Sequence, residues 1–144
     1  MHHRHFVKQL DEKSVTAAIH RAEEKSSAQV RVYVSHHHVH DALEAAGTHF
    51  HELGMEKTAH RNAVLIFIAP ESRNFAIFGD EAIDRKCGIQ FWTKVRDEIV
   101  PHLQAGEFTK AIVHAVDRVG DKLAEHFPQH GKRVNELSDE IAHD

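Results

Sequence analysis

The order of hydrophobic patterns predicts an α/β fold, a three-layer α/β/α sandwich around a small mixed sheet. Three observations carry that reading. Residues 29–35, Gln-Val-Arg-Val-Tyr-Val-Ser, alternate polar and apolar side chains and are rich in β-branched types, the signature of a strand. Residues 63–69, Ala-Val-Leu-Ile-Phe-Ile-Ala, are apolar without interruption, as in a central strand covered on both faces. A helical pattern lies between them, so the two strands run parallel through a right-handed crossover. The polar turn 70–74 then returns the chain antiparallel through 75–79 as a hairpin.

The remaining elements follow in order. Residues 11–25 read as a helix with Asp11 or Ser14 as N-cap and Val15, Ala18, Ile19 and Ala22 on one face. The dipeptide Ser26-Ser27 ends it. A loop rich in histidine, 36–40, follows the first strand, and Asp41 caps a helix over 41–53 with Ala42, Leu43, Ala46, Phe50 and Leu53 inward. Gly54 closes that helix. After the hairpin a short helical turn near 82–87 leads to a helix over 89–99, with Phe91, Trp92, Val95 and Ile99 inward. Pro101 is expected to bend or end it. A last helix opens at Glu107 or Thr109 and runs to about Phe127, with Ala111, Ile112, Ala115, Val116, Val119 and Leu123 facing the core. Pro128 stops it. The organisation is a His-containing segment over 1–10, one domain over 11–128 and a polar tail over 129–144. That tail has few apolar anchors (Val134, Leu137, Ile141) and is expected to be mobile or to fold back on the body or a partner.

Composition narrows the function classes. The chain has 144 residues, 41% hydrophobic and 28% charged, as in ordinary globular domains. Its net charge of -4 argues against nucleic acid as the main partner, because phosphate binding needs clustered Lys and Arg. No apolar run approaches the roughly 18 residues a membrane-spanning helix needs, and the N-terminus lacks a signal-peptide core. With a single cysteine, Cys87, no internal disulfide forms. A cytoplasmic location is therefore expected.

The candidate site lies at the mouth of the hairpin. The parallel strands begin on one edge of the sheet, which holds Ser26, Ser27 and Asn62. The strand 75–79 ends on that edge and delivers Asp80 and Glu81, with Asp84 one helical turn on. Such oxygen donors suit a hard cation, Ca²⁺ or Mg²⁺. Equally, Asp80 and Glu81 serve as helix caps and Asn62 as a turn residue. Gly79 favours the site reading, since glycine lets a backbone approach a ligand. Histidines 36, 37, 38 and 40 form a rival metal tract, but their spacing matches no defined site and they belong to the opposite edge. Nucleophilic chemistry finds little support. No Gly-x-Ser-x-Gly elbow or phosphate loop is present. Cys87 stands beside Arg85 and Lys86, cations able to lower a thiol pKa, but a lone cysteine is more often a small buried hydrophobe.

Several segments together resemble the TPM domain: Ser27-Ala-Gln-Val-Arg-Val-Tyr-Val-Ser35, Phe50 through Gly54, Arg61-Asn-Ala-Val-Leu-Ile-Phe-Ile-Ala-Pro70, Phe75-Ala-Ile-Phe-Gly-Asp80, and Phe91-Trp92 leading to Ile99-Val-Pro-His-Leu-Gln-Ala-Gly-Glu-Phe-Thr-Lys-Ala-Ile112. The resemblance covers about 11–127. It implies an α/β/α sandwich and divalent cation binding, with the family's polar cluster falling on Asn62 and Asp80 and with Glu81 nearby. The family includes a chloroplast lumen protein with weak acid phosphatase activity and a nematode membrane protein that modulates acetylcholine receptors. Ser27-Ala-Gln29 lacks the carboxylate often found before the first strand, and Asn62-Ala63 replaces a frequent Asn-Gly. Two functions are carried forward. One is a binding or adaptor module with a divalent-cation site at the acidic edge and an unidentified protein partner. The other is a weak metal-assisted acid phosphatase in which Asp80 holds metal or acts as base and Arg61 or His60 steers phosphate.

Overall fold

The four strands lie in the order β3-β2-β1-β4, in a computed structural model that describes residues 10–58, 61–72, 74–128 and 141–143. The elements are α1 (Glu12–Lys25), β1 (Gln29–Val34), α2 (Ala42–Glu52), a 3₁₀ turn (Met55–Lys57), β2 (Ala63–Ala69), β3 (Asn74–Gly79), α3 (Glu81–Cys87), α4 (Ile89–Gln104), α5 (Phe108–His126) and β4 (Ala142–His143). β1 and β2 pair parallel from Gln29↔Ala63 to Val34↔Ile68. β2 and β3 pair antiparallel from Val64↔Gly79 to Ala69↔Asn74. The mixed sheet, the parallel strand pair and the hairpin are as the sequence predicts.

β2 is buried at every residue, so its alternate side chains feed two cores. Val64, Ile66 and Ile68 pack with α1, α4 and α5. Ala63, Leu65, Phe67 and Ala69 pack under α2 and the 3₁₀ turn. These are the three layers, and each buried Leu, Ile or Phe contributes about 1.5–3 kcal/mol. All six core positions expected on α5 are fully buried. α5 lies close along α1, because Gly120 presents no side chain to Ala22. A Cβ there would sit 2.7 Å from the Ala22 Cβ. The caps also match the local sequence: Asp11 accepts from the Ser14 amide and Asp41 from the Glu44 amide.

Three expectations are corrected. α4 runs through Pro101 to Gln104, with Ala105 N–H donating to the Pro101 carbonyl. The carbonyl that Pro101 cannot serve belongs to Asp97, which is exposed, so water can satisfy it and the helix continues. Leu43 is not inward but 55% exposed. The buried stripe of α2 is Ala42, Ala46 and Phe50, spaced by four, and Leu43 stands one residue round from it. Phe91 and Trp92 are only partly buried against the core. The end of the polar tail does fold back: Ala142 and His143 pair parallel with Tyr33 and Val34. Residues 1–9 of the N-terminal segment, and 129–140 of the tail with Val134 and Leu137, lie outside the described residues.

Candidate functional site

Arg61 enters β2 with φ +53°, the one positive value at a non-glycine residue among the described ones. An L-residue in this region costs on the order of 1 kcal/mol, so surrounding bonds must hold it. The Arg61 amide donates to the Thr58 carbonyl at 3.3 Å, and the Arg61 carbonyl accepts from Ala82 N–H at 3.3 Å. The guanidinium then reaches Asp80: Nε donates to Oδ2 at 2.7 Å and Nη2 to Oδ1 at 2.8 Å. This is a fork-on-fork pair, the strong geometry for arginine and carboxylate. The Asp80 side chain is 5% exposed and that of Arg61 44%. The hydrogen bond to Asp80 drives the Arg61 guanidinium pKa above its already high ordinary value.

Asp80 has further duties. Its amide donates to the Ala63 carbonyl, extending the β2–β3 ladder by one residue. Its Oδ1 also accepts from Glu81 N–H at 2.8 Å, capping α3. Glu81 is exposed and only approaches Arg61, at 4.0 Å. The Asp84 carboxyl lies over the end of β3, with Oδ1 3.5 Å from where a Cβ on Gly79 would stand. Burial, and then the neighbouring Asp80 charge, push the Asp84 pKa up. Of the four expected oxygen donors, Asp80 and Glu81 stand at Arg61, whereas Asp84 stands by Gly79 at the end of β3.

Asn62 turns elsewhere. It is buried, and its Nδ2 donates to the Ser27 carbonyl at 3.3 Å while its backbone carbonyl accepts from Gln29 N–H. Its Oδ1 is buried without a hydrogen-bond partner. Gly79 also has a packing reason: an added Cβ would stand 2.6 Å from Ile83 Cγ2, so the space is filled by α3. Cys87 is half-buried, and burial pushes its thiol pKa up. Desolvation outweighs the one opposing cation, Lys122, in keeping with a lone cysteine acting as a small buried hydrophobe. His60 lies outside the described residues. The rings of His36 and His37 lie 4.6 Å apart, tilted by 40°, but among the described residues no group of three or more His, Cys, Asp or Glu is placed to hold a metal ion.

Sequence reasoning missed the Arg61–Asp80 pair, although a signal was present. The register sums to 143 across the hairpin, so Arg61 and Asp80 flank its mouth, and opposite charges at facing strand ends attract. It also missed a cavity of about 710 Å³ along the outer side of β3. The full length of that strand lines it, with Leu43 from one layer and Trp92 and Arg96 from the other.

The model of the TPM domain matches residues 2–122. A solved structure, "NMR structure of BA42 protein from the psychrophilic bacteria Bizionia argentinensis sp. nov.", is 32% identical over 92% of each chain, with a TM-score of 0.85. No curated protein matches.

Proposed function

The chain belongs to the TPM domain family, and from that premise we propose that it is a binding or adaptor module whose ligand end is the acidic edge around Arg61. The observation that carries this reading is the Arg61–Asp80 fork with Arg61 in a left-handed conformation. A local strain is maintained to hold the guanidinium against a buried carboxylate, with the Glu81 carboxylate 4.0 Å away. Strain of this kind is concentrated where ligands are met.

Ca²⁺ or Mg²⁺ is the ligand class to test, at Asp80, Glu81, Asp84 and Asn62. As arranged, these residues do not fit a preformed site. Ca²⁺ takes six to eight oxygens, and both Asp80 oxygens already accept from Arg61. The Asn62 Oδ1 is buried without a hydrogen-bond partner among the described residues, but its amide is held at the Ser27 carbonyl. A cation here must therefore compete with the guanidinium, and that competition gives the reading its test. Calorimetric titration with Ca²⁺ and Mg²⁺ should show weak binding by the wild type. Arg61→Ala, which frees Asp80, should bind more tightly, and Asp80→Ala with Glu81→Ala should abolish the heat. Heat surviving in the double variant would move the site elsewhere.

The second reading, a weak metal-assisted acid phosphatase, rests on the family and on Arg61, whose half-exposed guanidinium is a phosphate-recognising group. It ranks behind because a general base must take a proton on a carboxylate oxygen, and both Asp80 oxygens already accept from Arg61. Hydrolysis of a generic phosphate ester, with and without metal, tests it; activity unchanged in Asp80→Asn would trace to a contaminant.

A further inference from the structure

The two edges of the sheet are treated differently. On the β1 side, the Val30 amide is taken by the buried carboxylate of Glu23 at 3.1 Å, and Tyr33 and Val34 are covered by β4. On the β3 side no described residue bonds the outward backbone groups, although Phe75, Ile77 and Gly79 are themselves buried at the bottom of a cleft. Ladder parity tells which groups are involved. Asp80 N–H donates to the Ala63 carbonyl, so 63/80 is a hydrogen-bonded pair, and with it 65/78, 67/76 and 69/74 in the observed register. The intervening residues Phe75, Ile77 and Gly79 therefore point N–H and C=O away from β2. They span roughly 13 Å, the length of about five extended residues.

Exposed edges are ordinarily blunted by charge, proline or a bulge. β3, Asn-Phe-Ala-Ile-Phe-Gly, has no charge or proline, and its register runs without a bulge. Nor is the edge flat. It forms the floor of the 710 Å³ cavity, walled by Leu43 of α2 and by Trp92 and Arg96 of α4, with Asp41 and Asp84 also in its lining. Arg96 is exposed, and among the described residues it forms no hydrogen bond or ion pair.

We propose that this cleft is a peptide-binding site in which an extended segment of a partner protein adds as a fifth strand beside β3. The outward backbone groups would bond the peptide main chain, the apolar walls would take alternate side chains, and Arg96 would meet an acidic one. This goes beyond the cation reading and needs no metal. An extended segment is favoured over a second copy of the chain. Two edges each recessed between their own helices cannot approach to strand-pairing distance of about 4.8 Å.

The test uses the full chain, ¹⁵N-labelled, in the presence of a chelator. The probe is a blocked eight-residue peptide alternating Val and Thr with one central Glu. It should shift the amide resonances of Phe75, Ile77 and Gly79 and slow their hydrogen exchange. The same peptide with Lys for Glu should bind about three- to tenfold more weakly, the scale of one surface charge contact. Arg96→Glu, an exposed change checked by the same spectra for an intact fold, should reverse that order. Three results overturn the proposal: no response of those amides at millimolar peptide, equal binding of a peptide interrupted by proline, or protection that grows with protein concentration without peptide. The last would assign the edge to a second copy.

Discussion

Arg61 shows how one residue carries two opposed terms. Its left-handed backbone is unfavourable, and its fork to Asp80 offsets that cost. The two separate by substitution. Arg61→Ala loses the fork and keeps the strain, whereas Arg61→Gly loses the fork and relieves the strain. Chemical denaturation should therefore find Arg61→Gly more stable than Arg61→Ala by about 1 kcal/mol. Equal stabilities would mean that the backbone at 61 relaxes once the guanidinium is gone. The strain was not legible in the sequence, because nothing in Arg61-Asn-Ala-Val marks the first residue as left-handed. Asp80 as helix cap was legible, since Asp before a helical run is a common start signal. The delivery of Asp80 to the mouth of the hairpin followed from the register alone. The turning away of Asn62 did not, because it depends on where the Ser27 carbonyl sits.

Between elements, α1, α4 and α5 are joined by shape on one side and by charge on the other. Gly120 in mid-helix costs about 1 kcal/mol of intrinsic propensity, and the close approach to Ala22 is its return. Gly120→Ala inserts a Cβ 2.7 Å from the Ala22 Cβ and 3.0 Å from its Cα. Two backbones must then separate, so the variant should lose about 1–3 kcal/mol despite its better helix propensity. A rise in thermal midpoint would show instead that the pair can slide apart freely. Across α4 and α5, Glu98 accepts from Arg118 at 2.9 Å and bonds His114 at 2.8 Å. The Arg118 bond first, and then the His114 bond, hold the Glu98 pKa below its ordinary 4.5. A carboxylate depressed on folding adds stability above its unfolded pKa, and that gain is lost as pH falls through the folded value. Glu98→Gln should thus lower stability at pH 7 by about 0.5–1 kcal/mol. The gap to the wild type should close below about pH 4.5. Denaturation curves at pH 7 and pH 3 decide it; a constant gap would make the role steric. Periodicity revealed both helices, but Glu98 and His114 lie sixteen residues apart, and a one-dimensional pattern does not align them.

For the molecule as a whole, the layers were legible because burial imposes them: an uninterrupted apolar strand demands cover on both faces, and only helices remained to supply it. The sheet edges were not legible. β4 consists of Ala142 and His143, too short for any alternation to register, and its placement beside Tyr33 and Val34 is decided by β1. Its effect is testable by ending the chain at Pro128. Ala142 is buried in the core beneath α2, and its strand completes the outer ladder at the end of β1. Losing the buried methyl and the ladder bonds should destabilise the protein by about 1–2 kcal/mol, a fall of roughly 3–8 °C in midpoint for a domain of this size. It would also open a second unpaired edge opposite β3. Light scattering on warming should therefore rise with protein concentration in the shortened chain more steeply than in the full one. An unchanged midpoint would mean that the pairing adds no stability. Unchanged scattering with a lowered midpoint would mean that Glu23, at the Val30 amide, protects that edge without β4.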